Sequence, residues 1–161
     1  MRIIKYSKDI FVYENFITKD LCKKILDFWK WQEENEKLIW NPISFYESYA
    51  FGFYEYDEDL LKFNLPPDLF TQIKLAFKKA TEDVMGIEMR EVSFHAQKWI
   101  EGAFASFHSD NSSNGEYNAF ERSKYATFLY LNDDFTGGAL NFKDHSITIQ
   151  PEAGMLATFA G

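Results

Sequence analysis

Two stretches with helical spacing of apolar residues, followed by a run of alternating stretches, organise this chain. Residues 10–16 read as a short strand. Thr18 then offers a helix N-cap, with Asp20 in the first turn, where a negative charge suits the exposed backbone N–H groups. Cys22, Ile25, Leu26 and Trp29 recur at helical spacing and predict one buried stripe, and residues 33–37 a polar helix end. Residues 48–56 read as an aromatic strand that runs into an acidic turn at 56–59. Pro66-Pro67-Asp68 opens a second helix, with Pro67 tolerated in the first turn. Phe70, Ile73, Phe77, Ala80 and Val84 make its apolar face, and Gly86 is a natural stop.

From residue 88 the period changes from helical to alternating. Strands are predicted over 88–100, 124–131, 140–142, 146–149 and 155–159, separated by Gly, Asp and Pro signals. Two helices ahead of a run of strands predict an α+β, mainly β fold, with the helices packed on one face of an antiparallel sheet or barrel. No repeat, low-complexity tract or linker interrupts residues 1–161, so a single domain is expected.

Composition supports a packed core and narrows the partners. Hydrophobic residues make up 46% of the chain and aromatic residues 19%, with 17 Phe and 9 Tyr. Aromatics at that density favour strands, and the apolar content argues against disorder. A formal charge of −8 and a pI near 4.9 make a nucleic-acid backbone an unsuitable general partner. Cys22 is the only cysteine, so no internal disulfide can form, and its place in the helical stripe makes it a packing residue. The opening Met1-Arg2-Ile3-Ile4-Lys5 gives way at once to polar residues, unlike a signal segment, and no apolar run reaches membrane-spanning length. A soluble, cytoplasmic protein is expected.

The candidate chemistry lies between Trp99-Ile100-Glu101-Gly102 and Phe107-His108-Ser109-Asp110. A His and an Asp two residues apart can grip one cation from adjacent corners of its coordination sphere. Two His and one carboxylate on one face, with the other positions open, is how non-haem Fe(II) oxygenases hold their metal. His-x-Asp alone is a weak signal, and residues 109–115 also read simply as a polar turn. Its setting strengthens it. A strand ends in Trp99, a Gly102 turn follows, and Tyr130-Leu131-Asn132, Gly137-Gly138 and Pro151-Glu152-Ala153-Gly154 come in order afterwards.

That ordered set resembles the 2-oxoglutarate- and Fe(II)-dependent dioxygenases, specifically the prolyl 4-hydroxylase-like branch. The resemblance covers nearly the whole chain, from Phe11-Val12-Tyr13-Glu14-Asn15-Phe16-Ile17 to the Gly154 turn. It implies a double-stranded β-helix (jelly roll) with the two helices on one outer face. It also implies an oxidoreductase that uses Fe(II) with 2-oxoglutarate and O₂ as cosubstrates, and ascorbate as a further candidate cofactor. The reaction implied is hydroxylation of an unactivated C–H bond, with a prolyl residue of a peptide or protein as the default substrate. A free amino acid or another small molecule is the alternative. No nucleic-acid or membrane partner is expected.

By the same resemblance, His108 and Asp110 match the first two metal ligands. Tyr130 matches a strand tyrosine whose hydroxyl bonds the distal carboxylate of 2-oxoglutarate, or else it is an ordinary core aromatic. Leu140 matches a residue lining the cosubstrate pocket, with plain packing as the alternative. Trp99 stands where the family usually has a cosubstrate-contacting tyrosine. An indole donates one N–H and accepts nothing, so that contact would be altered, or Trp99 simply packs. Ala105 stands where many relatives carry another tyrosine. The polar stretch 111–121 reads as a loop able to close over substrate.

The resemblance also calls for a third ligand, a His, after the strand at 155–159, and a basic residue beyond it to pair with 2-oxoglutarate. Both are expected past Gly161, as if these residues were a C-terminally truncated form of a longer enzyme. His145 reads as an exposed turn residue and His95 as a core or supporting residue on the same strand face as Trp99. Two other classes stand beside the enzyme: a jelly-roll binding module without catalysis, and a cupin-like barrel with unrelated ligands.

Overall fold

A computed structural model describes residues 1–43, 48–90, 92–108 and 124–160. Its strands are β1 (Arg2–Lys5), β2 (Ile10–Glu14), β3 (Asn41–Ile43), β4 (Ser48–Gly52), β5 (His95–Trp99), β6 (Tyr125–Leu129), β7 (Leu140–Phe142), β8 (Ile147–Ile149) and β9 (Leu156–Ala160). The helices are α1 (Lys19–Glu34) and α2 (Leu69–Met85), with short 3-10 segments at Glu58–Phe63 and Lys143–His145. Every recorded strand pairing is antiparallel, as the alternating pattern requires. The chain forms two compact units, residues 1–22 with 106–161, and residues 23–105.

The first unit is a sandwich of strands. Its larger sheet runs β1-β2-β9-β6, and β7 and β8 form a separate hairpin. Register places Ile10 opposite Phe159 and Val12 opposite Ala157, so these four side chains share one face. They join Ile149 and Met155 in a buried cluster, against which Ile4, Ala126, Phe128, Leu140, Phe142 and Ile147 pack. Phe159 anchors it, with ring centroids 5.6 Å from Phe128 and 4.9 Å from Phe142. Each such apolar side chain taken fully out of water contributes about 1.5–3 kcal/mol. On the opposite face Thr127 and Thr158 sit directly across from each other, their hydroxyls 3.0 Å apart. Buried Thr158 is satisfied through that bond.

The second unit is built on aromatic rings. Helix α1 starts in the first unit, where Thr18 accepts from the Leu21 N–H at 3.1 Å and caps it as its sequence position predicts, and runs on into the second. The buried stripe is Cys22, Ile25, Phe28 and Gln32, whereas Leu26 and Trp29 are half-buried. The stripe turns toward Phe28 because its ring contacts Trp31, Phe63 and Phe70. Trp29 instead meets Trp40, Phe51, Phe53 and Phe70. Gly86 ends α2 with φ +66°, its N–H donating to the Glu82 carbonyl at 2.9 Å. Phe70 and Phe77 of α2 complete the cluster through Phe53 and Phe94.

Several sequence expectations shift here for physical reasons. The strand expected over 88–100 begins only at His95, because the Glu82 carboxylate takes the Met89 N–H at 2.7 Å and holds that segment to the end of α2. The strand expected over 48–56 stops at Gly52, since Phe53 turns into the ring cluster. The acidic turn is the start of a 3-10 segment, capped by the Asp57 carboxylate on the Asp59 N–H, which buries Leu60. Strands β1 and β3 are not predicted by the pattern. Both are edge strands, exposed for most of their length, and β3 carries Pro42, so neither shows clean alternation. Among the described residues, no helix is long and apolar enough to cross a membrane.

Candidate functional site

His108 is the last described residue before the stretch 109–123, so Asp110, the turn at 109–115 and the loop at 111–121 lie outside the described residues. The His108 side chain is exposed, with Nδ1 2.6 Å from the Ser106 carbonyl oxygen. A carbonyl only accepts, so Nδ1 carries the proton, and the neutral imidazole has its lone pair on Nε2. A metal-binding histidine is oriented in the same way, by donating its other ring N–H to a backbone oxygen. His108 therefore fits a role as a metal ligand through Nε2.

Tyr130 follows β6 directly, and its backbone is tied at both ends. Its N–H donates to the Met155 carbonyl at 2.9 Å, and its own carbonyl accepts from Gly154 at 2.8 Å. The half-buried ring packs on the cluster of Ile10, Val12, Ile149, Met155, Ala157 and Phe159, the interior of the sandwich. Burial pushes its phenol up to about 12, so the hydroxyl stays protonated and able to donate throughout the neutral range. Among the described residues that hydroxyl has no hydrogen-bond partner. Leu140 opens β7 after Gly137-Gly138 and is half-buried against the same cluster. The structure thus brings Tyr130 and Leu140 to one interior.

The turn that holds Tyr130 needs a glycine. Gly154 has φ +86°, and a Cβ there would stand 2.3 Å from the Ile17 carbonyl oxygen. That approach lets the Gly154 carbonyl accept from Phe16 at 2.8 Å and from Ile17 at 3.3 Å. Cys22 lies alongside, buried, with Sγ 4.0 Å from the Tyr130 carbonyl and its thiol raised by burial. It is a packing residue, as its place in the stripe predicts.

Asp133 is a supporting residue that sequence reasoning did not single out. Its Oδ2 accepts from Lys19 Nζ at 2.8 Å and from the Ala153 N–H at 3.2 Å, which ties the start of α1 to the loops on either side of Tyr130. The Lys19 ammonium, then the Ala153 N–H, hold its carboxyl below the usual carboxylate range. Lys19 and Asp133 are 114 residues apart, so no local signal exposes their pairing.

Trp99 ends β5 in the second unit and is 45% exposed. Its Nε1–H donates to Gln97 Oε1 at 3.3 Å, and the Gln97 amide nitrogen lies 3.0 Å from His95 Nε2. The indole's single donor is therefore committed to a neighbour on its own strand. His95 is half-buried, and burial pushes its imidazole down from 6.5. Its strand parity places it on the same face as Gln97 and Trp99. His145 is exposed in the 3-10 turn between β7 and β8. Among the described residues no group of three or more His, Cys, Asp or Glu could hold a metal ion.

No protein-family model matches the chain. No curated protein matches it in sequence. Among solved structures, its fold is similar to the crystal structure of a Pseudomonas putida prolyl-4-hydroxylase, with a TM-score of 0.65 and 17% sequence identity, over 94% of this chain and 79% of that one. At that identity the likeness establishes the fold: a mixed α/β chain, mostly sheet, like that of a prolyl-4-hydroxylase.

Proposed function

We propose that this chain is a dioxygenase domain on a double-stranded β-helix, using Fe(II) and 2-oxoglutarate to hydroxylate an unactivated C–H bond. The observation that carries the reading is the likeness to a prolyl-4-hydroxylase over 94% of the chain, in a sequence that presents His108-Ser109-Asp110. Each is incomplete without the other. The fold hosts many chemistries, and the motif recurs by chance.

The roles follow from the side chains. His108 would hold the metal through Nε2, its ring oriented by the Ser106 carbonyl. Asp110 would bind beside it and offset the positive charge. Tyr130, protonated and set on a sheet interior, would donate its hydroxyl to the far carboxylate of 2-oxoglutarate, and Leu140 would wall the same cavity. Trp99, its N–H committed to Gln97, would contribute a ring face rather than a hydrogen bond. When bound, iron supplies the redox chemistry that couples decarboxylation of 2-oxoglutarate to C–H hydroxylation, with ascorbate keeping it reduced. A prolyl residue of a peptide or protein is the proposed substrate, and a cytosolic location suits a chain whose one thiol is a buried packing residue.

Succinate formation from 2-oxoglutarate tests the reading, with the protein expressed from its complete reading frame. Iron-dependent succinate that rises with added prolyl peptide is the expected result. Metal binding without succinate would favour a binding module on the same fold.

A further inference from the structure

One face of the sheet β3-β4-β5 carries a polar row set against a floor of small residues. Register pairs Ser48 with Trp99, Ala50 with Gln97 and Gly52 with His95, so all six side-chain positions lie on the same face. The other face carries Phe51, Ala96 and Lys98, which pack toward α1. Phe51 meets Trp29 edge-on, and Lys98 Nζ donates to Glu33 at 2.8 Å.

The direction of the hydrogen bonds along the row is fixed by chemistry. An indole N–H only donates, so Gln97 must present its oxygen to Trp99 and its nitrogen to His95. One amide N–H of Gln97 remains, with no partner among the described residues. Diagonally across the floor, Ser48 is 1% exposed and its Oγ is buried without a hydrogen-bond partner among the described residues. A fully buried hydroxyl left unpaired is costly, and native structures retain such a group where something else meets it. At the opposite end the floor is open: a Cβ on Gly52 would meet nothing within 4 Å.

We infer that this face is a subsite for a hydrogen-bond acceptor of the organic substrate, a carboxylate or an amide carbonyl. The acceptor enters over Gly52 and takes the remaining N–H of Gln97 and the hydroxyl of Ser48. The choice of organic substrate rests on the proposed oxygenase function, whereas the acceptor chemistry rests on the sheet face alone.

Calorimetric titration of the full-length protein without added iron tests it, using L-proline as a free carboxylate, N-acetyl-L-prolinamide as a carbonyl-only probe, and 2-oxoglutarate. Ser48→Ala and Gln97→Leu should each raise the Kd of one proline probe about tenfold. Ser48→Ala should do so with an unchanged or higher Tm, a pairing that a merely structural serine would not give. Whichever proline probe responds identifies the acceptor. Intrinsic fluorescence should change on binding in the wild type and not in Trp99→Phe. Unaltered affinities in both variants, no binding of either proline probe to the wild type, or an effect confined to 2-oxoglutarate would overturn the assignment. Succinate formation reads the oxygenase function separately: binding without succinate keeps the subsite and removes the enzyme, and the reverse removes only the subsite.

Discussion

The two units of this chain solve the same packing problem with different means. The first buries aliphatic side chains and three phenylalanines between a four-stranded sheet and a hairpin, and it fixes Tyr130 through backbone hydrogen bonds around Gly154. The second interlocks the rings of Phe28, Trp29, Phe51, Phe53 and Phe70 around two helices, with centroids as close as 4.4 Å. Backbone ties set a side chain's position to the accuracy of the sheet ladder. Ring clusters supply burial and tolerate more adjustment. Two of the candidate cosubstrate residues, Tyr130 and Leu140, sit in the unit built the first way, which suits side chains that must be held in one geometry.

Substitutions should separate these two strategies. The largest loss should come from Phe28→Ala, which empties a site 1% exposed beneath three other rings and should cost about 3–5 kcal/mol of unfolding free energy. Next comes Gly154→Ala, where strain at φ +86° adds to a clash with the Ile17 carbonyl. A loss of about 3 kcal/mol is expected by denaturant titration. Gly52→Ala in the second unit should change stability by less than about 0.5 kcal/mol, because its Cβ meets nothing within 4 Å. If Gly154 and Gly52 tolerate alanine equally, the backbone account of the first unit is wrong.

Smaller effects probe single groups. Thr158→Val removes the hydroxyl bond to Thr127 and should cost about 1 kcal/mol. Tyr130→Phe removes a hydroxyl with no partner among the described residues, so stability should hold while the apparent 2-oxoglutarate affinity falls about tenfold. The last effect is a pH slope. Burial holds His95 below its ordinary 6.5, so the unfolded chain binds the proton more readily. Stability contributed by neutral His95 is complete above pH 6.5 and is lost as pH falls below that toward the folded value. Chemical denaturation between pH 7.5 and about 5 should show the decline, and His95→Gln should flatten it.

Much of this arrangement is legible along the chain, and the exceptions have physical causes. The bounds of β7 follow from alternation after a double glycine, and α2 ends at Gly86 because only a residue at ease with positive φ closes it so. The Thr18 cap and the burial of Cys22 follow from local rules. The late start of β5 does not, because it depends on a Glu82 carboxylate reaching Met89. Nor does the Lys19–Asp133 pair, whose members meet only through the fold. Strand parity puts His95, Gln97 and Trp99 on one face, but only side-chain direction shows that the indole donor is committed to Gln97. Of the candidate site, Tyr130 and Leu140 are readable as inward positions. The pairing of His108 with Asp110 rests on the motif in the sequence.

The most direct measurement is 2-oxoglutarate turnover with saturating Fe(II), comparing protein from the complete reading frame with its His108→Ala and Asp110→Ala variants. His108 is exposed, and its side chain bonds the nearby Ser106 carbonyl, so its replacement should leave the fold intact. The account predicts iron-dependent succinate in the wild type and none from either variant, with unchanged Tm. Full activity in Asp110→Ala would contradict it and place the metal elsewhere.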